Sequence, residues 1–159
     1  MKIRSSALGF TLMELILVIV LLSILSLFAA SRFMGKGGVS AFALQEQAIS
    51  VIRQVQVNRM QSNVASPDNN FRLQVSSSCI GSVAACALTG SAQDARSDVV
   101  IDKSAKFSVI SGAANTINFN LLGNPVSGAV NILIEDKHGR SRCQVEINTQ
   151  GYVSKGTCS

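Results

Sequence analysis

From Phe10 to Ala30 the chain reads FTLMELILVIVLLSILSLFAA, twenty-one residues whose only ionisable side chain is Glu14. An unbroken helix of that length would reach about 30 Å, the thickness of the hydrocarbon core of a bilayer. Nothing else in the chain constrains the fold as strongly, because so long an apolar run predicts a transmembrane helix at 10–30. Lys2 and Arg4 precede it, and the positive-inside bias places that end in the cytoplasm and the remainder outside. Composition agrees: 47% of the residues are hydrophobic and 14% charged, a skew expected of a chain that partly meets lipid.

Three simpler readings compete. A secretory signal also has a basic start and an apolar stretch, and Ala29-Ala30-Ser31 passes for its cleavage site, but its apolar region runs only about 7 to 15 residues. A plain signal anchor and a buried core helix are the others, the second disfavoured by length. None of the three accounts for Glu14. An isolated carboxylate costs on the order of 2.5 to 3.5 kcal/mol at the bilayer centre and less near the interface. It therefore calls for a positive partner at the same depth, and a free amino group on Phe10 of a neighbouring chain, exposed by cleavage after Gly9, would supply one.

These residues carry a resemblance. The stretch KIRSSALGFTLMELILVIVLLSIL, Lys2 to Leu25, resembles the class III signal of type IV pilins and type II secretion pseudopilins: a short basic leader ending in glycine, then phenylalanine, a glutamate fifth in the mature chain, and an apolar helix. The resemblance implies cleavage between Gly9 and Phe10 by a prepilin peptidase, N-methylation of Phe10, and a role for Glu14 in setting subunit register during assembly. It implies residence in the inner membrane, head in the periplasm, followed by incorporation into a pilus or pseudopilus at the cell surface. The implied partners are other pilin or pseudopilin subunits, the peptidase, and an inner-membrane assembly platform with its ATPase. One departure stands out. Major pilins often carry a proline near the end of the membrane segment, whereas here Arg32, Gly35, Gly37 and Gly38 occupy that region. Each glycine costs a helix about 1 kcal/mol, so a kink or melted turn is expected at 31–38.

The expected organisation is a cleaved leader at 1–9, the membrane helix at 10–30, a glycine-rich hinge at 31–38, an amphipathic helix at 39–65 and a β-rich head at 66–159. In the second helix Phe42, Ala48, Ile49, Ile52, Val55 and Met60 are expected on the apolar face. Gln45, Glu46, Arg53, Gln56 and Arg59 are expected largely on the solvated one, with Pro67-Asp68-Asn69-Asn70 as the stop. Alternation of period two marks strands at 71–75, 117–121, 130–134 and 143–147. Turns are expected at Gly123-Asn124-Pro125, Asp136-Lys137-His138-Gly139 and Asn148-Thr149-Gln150-Gly151. The last three of these strands read as an antiparallel meander, and the whole as α+β: a long N-terminal helix packed on an antiparallel sheet, the pilin fold by resemblance.

Four cysteines, Cys79, Cys86, Cys143 and Cys158, follow the apolar segment without any C-x-x-C spacing, and His138 is the only histidine. Disulfides in an oxidising compartment fit this pattern better than a metal site. Three pairings are open. Cys79 with Cys86 and Cys143 with Cys158 is favoured, the first closing a small loop and the second stapling the tail to a strand.

The C-terminal portion, from about Ile117 to Gly156, more loosely resembles the pseudopilin H and FimT-like group of minor pilins, and in overall tone the minor pilins of mannose-sensitive haemagglutinin pili. Gly139-Arg140-Ser141-Arg142 is similar to a Gly-Arg-x-Arg sequence of DNA-binding FimT-like pilins, which would make Arg140 and Arg142 phosphate contacts. The plainer account is a charged hairpin turn, its field partly cancelled by Glu135 and Asp136. Net charge is +5, and loss of Lys2 and Arg4 with the leader would take two of those charges, leaving +3. That balance alone does not imply nucleic acid. An adhesive tip subunit is a further reading, with Ser76 to Gln93 as an exposed contact loop. No phosphate-binding glycine loop, nucleophile elbow or zinc signature is present, and His138 has no evident catalytic partner. The expected protein is structural, with no cofactor.

Overall fold

A computed structural model describes residues 11–34 and 41–159, with side chains in the first stretch described as far as Ser26. The leader, Gly9 and Phe10 with it, and the glycine hinge at Gly35 to Gly38 lie outside the described residues. The chain divides into two compact units, Met1–Gly37 and Gly38–Ser159. In the first, α1 spans Leu12–Met34. Among the described residues no helix is long and apolar enough to cross a membrane.

The second unit is mixed α and β. It opens with α2 (Ala41–Gln61), followed by β1 (Arg72–Ser76), β2 (Cys79–Ser82), the single turns α3 (Val83–Cys86) and α4 (Ser91–Asp94), β3 (Val99–Ile101) and β4 (Ala105–Ser111). Then come β5 (Thr116–Asn118), β6 (Val130–Asp136), β7 (Arg142–Ile147) and β8 (Val153–Cys158). The strands form two four-stranded antiparallel sheets, ordered β3-β2-β1-β5 and β4-β6-β7-β8, where a single sheet was expected. One apolar core joins them: Ile52 and Val55 of α2 meet Leu73, Ile80 and Ile117 of the first sheet and Phe107, Ile132 and Val145 of the second.

Strand β6 alternates buried and half-buried positions along its whole length, as a strand with one covered face should. β2 is different. All four of its residues are buried, and a Cβ on Gly81 would sit 2.5 Å from the Asp98 carbonyl oxygen, so only glycine lets β3 approach. Next to it Ser82 caps α3, its hydroxyl accepting from the Ala85 N–H at 3.1 Å.

The expected meander is displaced by one strand. Its members are β6, β7 and β8, while β5 leaves for the other sheet, where Leu73 faces Ile117 and Arg72 faces Asn118. Residues 119–129, with Pro125 among them, connect β5 to β6, and so long a connection does not force a hairpin. Periodicity identifies which face of a strand is covered and leaves its partner open. The two later turns do form hairpins. Gly139 N–H donates to Asp136 O at 2.7 Å, and in the β7–β8 turn Asn148 Oδ1 accepts from both the Gln150 and Tyr152 amides.

The face assignment along α2 also needs correction. The buried stripe runs Ala41, Leu44, Gln45, Ala48, Ile49, Val51, Ile52, Val55, Gln56 and Arg59, while Phe42 and Met60 are 53% and 49% exposed. A helix set against two sheets buries a wider arc than one lying on a single sheet. The polar members are tolerated because each reaches a main-chain oxygen. Gln45 Nε2 donates to Gln144 O at 2.6 Å, and Arg59 donates to Phe119 O, Val64 O and Ala65 O. Arg59 is therefore a buried clamp, not part of a solvated face.

Candidate functional site

The two ends of the chain offer different chemistry. In the first unit Glu14 occupies the opening turn of α1 and is exposed, its amide bonded to Thr11 Oγ1 at 3.2 Å and to Thr11 O at 3.1 Å. Thr11-Leu12-Met13-Glu14 is thus an N-terminal capping arrangement, with glutamate at the third helical position. A carboxylate near a helix N-terminus is favoured locally by the aligned peptide dipoles, typically by about 0.3 to 1 kcal/mol. Around it the side chains of Leu12, Met13, Leu15 and Ile16 are exposed, and exposure of large apolar groups continues to Leu25.

In the second unit the sequence-derived arginines lie on the β6–β7 hairpin and are both engaged. Arg140 Nε pairs with Asp136 Oδ2 at 3.3 Å, and Arg142 Nε with Glu135 Oε1 at 3.0 Å. Asp136 is nearly buried, which favours its neutral form; the His138 amide and the Arg140 guanidinium outweigh that and hold its carboxyl below the usual carboxylate range. A phosphate reaching either arginine would have to compete with a carboxylate already in place. His138 sits in the turn itself, its amide donating to Asp136 Oδ1.

The hairpin forms one wall of a cleft of about 600 Å³. Its other walls are the β1–β2 turn, through Ser77 and Ser78, and the β3–β4 turn with the start of β4, through Lys103 and Lys106. Main-chain hydrogen bonds stitch the three segments together: Asp102 N to Ser78 O at 3.1 Å, Phe107 N to Ser77 O at 3.2 Å, and Lys137 N to Ser104 O at 2.8 Å. The cleft was invisible in the sequence, since Ser77 and Ser78, the Lys103–Lys106 pair and Lys137 lie far apart along the chain and share no motif.

Both disulfides have the expected pairing, Cys79–Cys86 and Cys143–Cys158. The first ties β2 to α3 and the second joins register partners on β7 and β8, fastening the C-terminus to the sheet. The segment Ser76 to Gln93 is not an exposed loop. It contains a fully buried strand and the α3 turn, with exposure concentrated from Ala87 onward. Behind it Arg96 Nη2 pairs with Asp98 Oδ2 at 2.7 Å, and Arg96 also reaches Ser82 Oγ. Burial pushes the Asp98 carboxyl up, but Arg96 and Ser82 pull harder, and it titrates below its ordinary value.

No protein-family model, curated protein or solved structure matches this chain.

Proposed function

We propose that this chain is a type IV pilin-like subunit, cut after Gly9, held in the inner membrane by the helix that begins at Phe10, and polymerised into a pilus or pseudopilus. The observation that carries the reading is the placement of one carboxylate, Glu14, five positions beyond Gly9 in an otherwise apolar segment. Exposed apolar side chains along α1 from Leu12 to Leu25 support it, because such a surface in water would be costly and lipid or neighbouring helices would cover it. A disulfide-bonded α+β head suits an oxidising periplasm or cell exterior. Assembly then draws energy from a separate cytoplasmic ATPase, and the subunit's own contribution is register: Glu14 of an incoming chain meets the Phe10 amine of the last one docked.

Local capping and register make different predictions for Glu14. The Thr11 hydroxyl caps the Glu14 amide whatever side chain stands at 14, so Glu14→Gln and Glu14→Ala should both leave α1 capped and the head folded. Both should reduce the subunit recovered from sheared surface filaments at least tenfold if the charge sets register. Normal recovery of both variants removes the pairing model. Mass spectrometry of the mature protein should find N-methylated Phe10 first; a chain beginning at Ser31 or Arg32 would overturn the whole reading.

A further inference from the structure

The cleft beside the β6–β7 hairpin has an unusual distribution of charge. Its two carboxylates are each satisfied by an arginine, Glu135 by Arg142 and Asp136 by Arg140. Asp102, at its edge, accepts from both the amide and the hydroxyl of Ser104. The ammonium groups of Lys103, Lys106 and Lys137 make no ion pair among the described residues, although Lys106 is the register partner of Glu135. Nor are the hydroxyls of Ser77 and Ser78 hydrogen-bonded among those residues, their carbonyls alone being used to hold the walls. Three uncompensated cations and two unused hydroxyls therefore converge on one concave space whose frame is fixed by main-chain bonds.

We propose that this cleft binds a phosphate or sulfate monoester, with the oxyanion among Lys103, Lys106 and Lys137 and the Ser77 and Ser78 hydroxyls donating to it. The donor set selects the class. A planar carboxylate is matched best by the fork of an arginine, and the arginines here are already occupied. Ammonium groups arriving from two segments, Lys103 and Lys106 from the β3–β4 turn and the start of β4 and Lys137 from the β6–β7 hairpin, are point charges with freely turning donors, which suit a tetrahedral group offering oxygens in several directions. The volume, about 600 Å³, exceeds what a bare oxyanion needs and leaves room for the group that carries it, such as one sugar ring. The inference stands whether or not the chain is a pilin, because it uses the second unit alone.

The test is a titration of the full chain in a non-ionic detergent, at constant ionic strength, followed through the lysine side-chain NMR signals. Glucose 6-phosphate, glucose 6-sulfate, inorganic phosphate and glucose are the probes. Saturable shifts are expected at Lys103, Lys106 and Lys137 with the two esters, none at Lys155 on β8, and none with glucose. Each single Lys→Gln change should weaken binding roughly two- to fivefold, the scale of one exposed charge interaction, and the triple change should abolish saturation. Inorganic phosphate binding as tightly as the ester means that the oxyanion alone is recognised; weaker binding means that the remaining volume takes the sugar. Either result supports the site. All three lysines are exposed, so the variants should keep both disulfides and the far-ultraviolet dichroism of the parent. Equal, non-saturating shifts at Lys155, saturation unchanged in the triple variant, or a DNA oligonucleotide that binds while the esters do not would each overturn the proposal.

Discussion

Replacing Gln56 by Glu should make the stability of the second unit depend on pH in a way that the parent's does not. Gln56 is 6% exposed on α2, and its Nε2 donates to Gly123 O at 2.9 Å and Gly151 O at 2.8 Å. It ties the helix to two loops that pack on each other, where Gly151 has a left-handed φ of 81° and lies against the Gly123 carbonyl. A neutral glutamic acid has one O–H in place of two N–H groups, so one carbonyl loses its partner at a cost of about 1 kcal/mol. An ionised one has no donor and points negative charge at two carbonyl oxygens. The folded-state carboxyl must therefore titrate above its unfolded value of about 4.3. A raised folded value means that the variant's relative stability is intact below about pH 4.3 and is lost as pH rises toward the folded value, at up to about 1.36 kcal/mol per unit. A rise of about two units gives a further loss near 2.7 kcal/mol, so Gln56→Glu should cost about 1 kcal/mol at pH 4 and about 4 kcal/mol at pH 7. Urea unfolding of the full chain in non-ionic detergent measures this, with the parent run in parallel so that other titrations cancel. Gln56→Leu, which removes both hydrogen bonds without adding charge, should cost about 2 to 4 kcal/mol at either pH. A Gln56→Glu deficit equal at the two pH values, or larger at pH 4, would refute the clamp.

Two further perturbations address other links in the fold. The double change Cys143→Ser with Cys158→Ser opens a loop with a sequence separation of 15 and should lower unfolding stability by about 3 kcal/mol; a loss below about 1 kcal/mol would show that the tail holds to β7 without the bond. Asp98→Ala strands the Arg96 guanidinium and should cost about 1 to 3 kcal/mol at neutral pH. Because the folded Asp98 carboxyl titrates below the ordinary value, its contribution is complete above about pH 3.9 and drains away as pH falls through the lower folded value. The gap between parent and Asp98→Ala should therefore close in strong acid, and a gap that widened there would contradict the assigned ion pair.

What could be read from the sequence were features whose physics is local. The capacity of α2 to form a helix, the strand alternation of β1, β6 and β7, and the Asp136 and Asn148 turns all follow from neighbouring residues meeting the demands of one backbone geometry. The disulfide pairing was legible for a related reason, since short spacing between cysteines limits what a loop can close. Glu14 stood out through its own incongruity in an apolar segment. Tertiary structure alone decided which sheet β5 joins, because antiparallel strands with the same alternation are interchangeable until the core they cover is shared out. It also turned Gln45, Gln56 and Arg59 inward, since a polar side chain can be buried only where carbonyls wait for it, and each of the three reaches one that lies 60 or more positions away. The basic cleft belongs to the same class: Ser77, Lys103 and Lys137 become neighbours through hydrogen bonds between segments, and no spacing within the chain encodes their meeting.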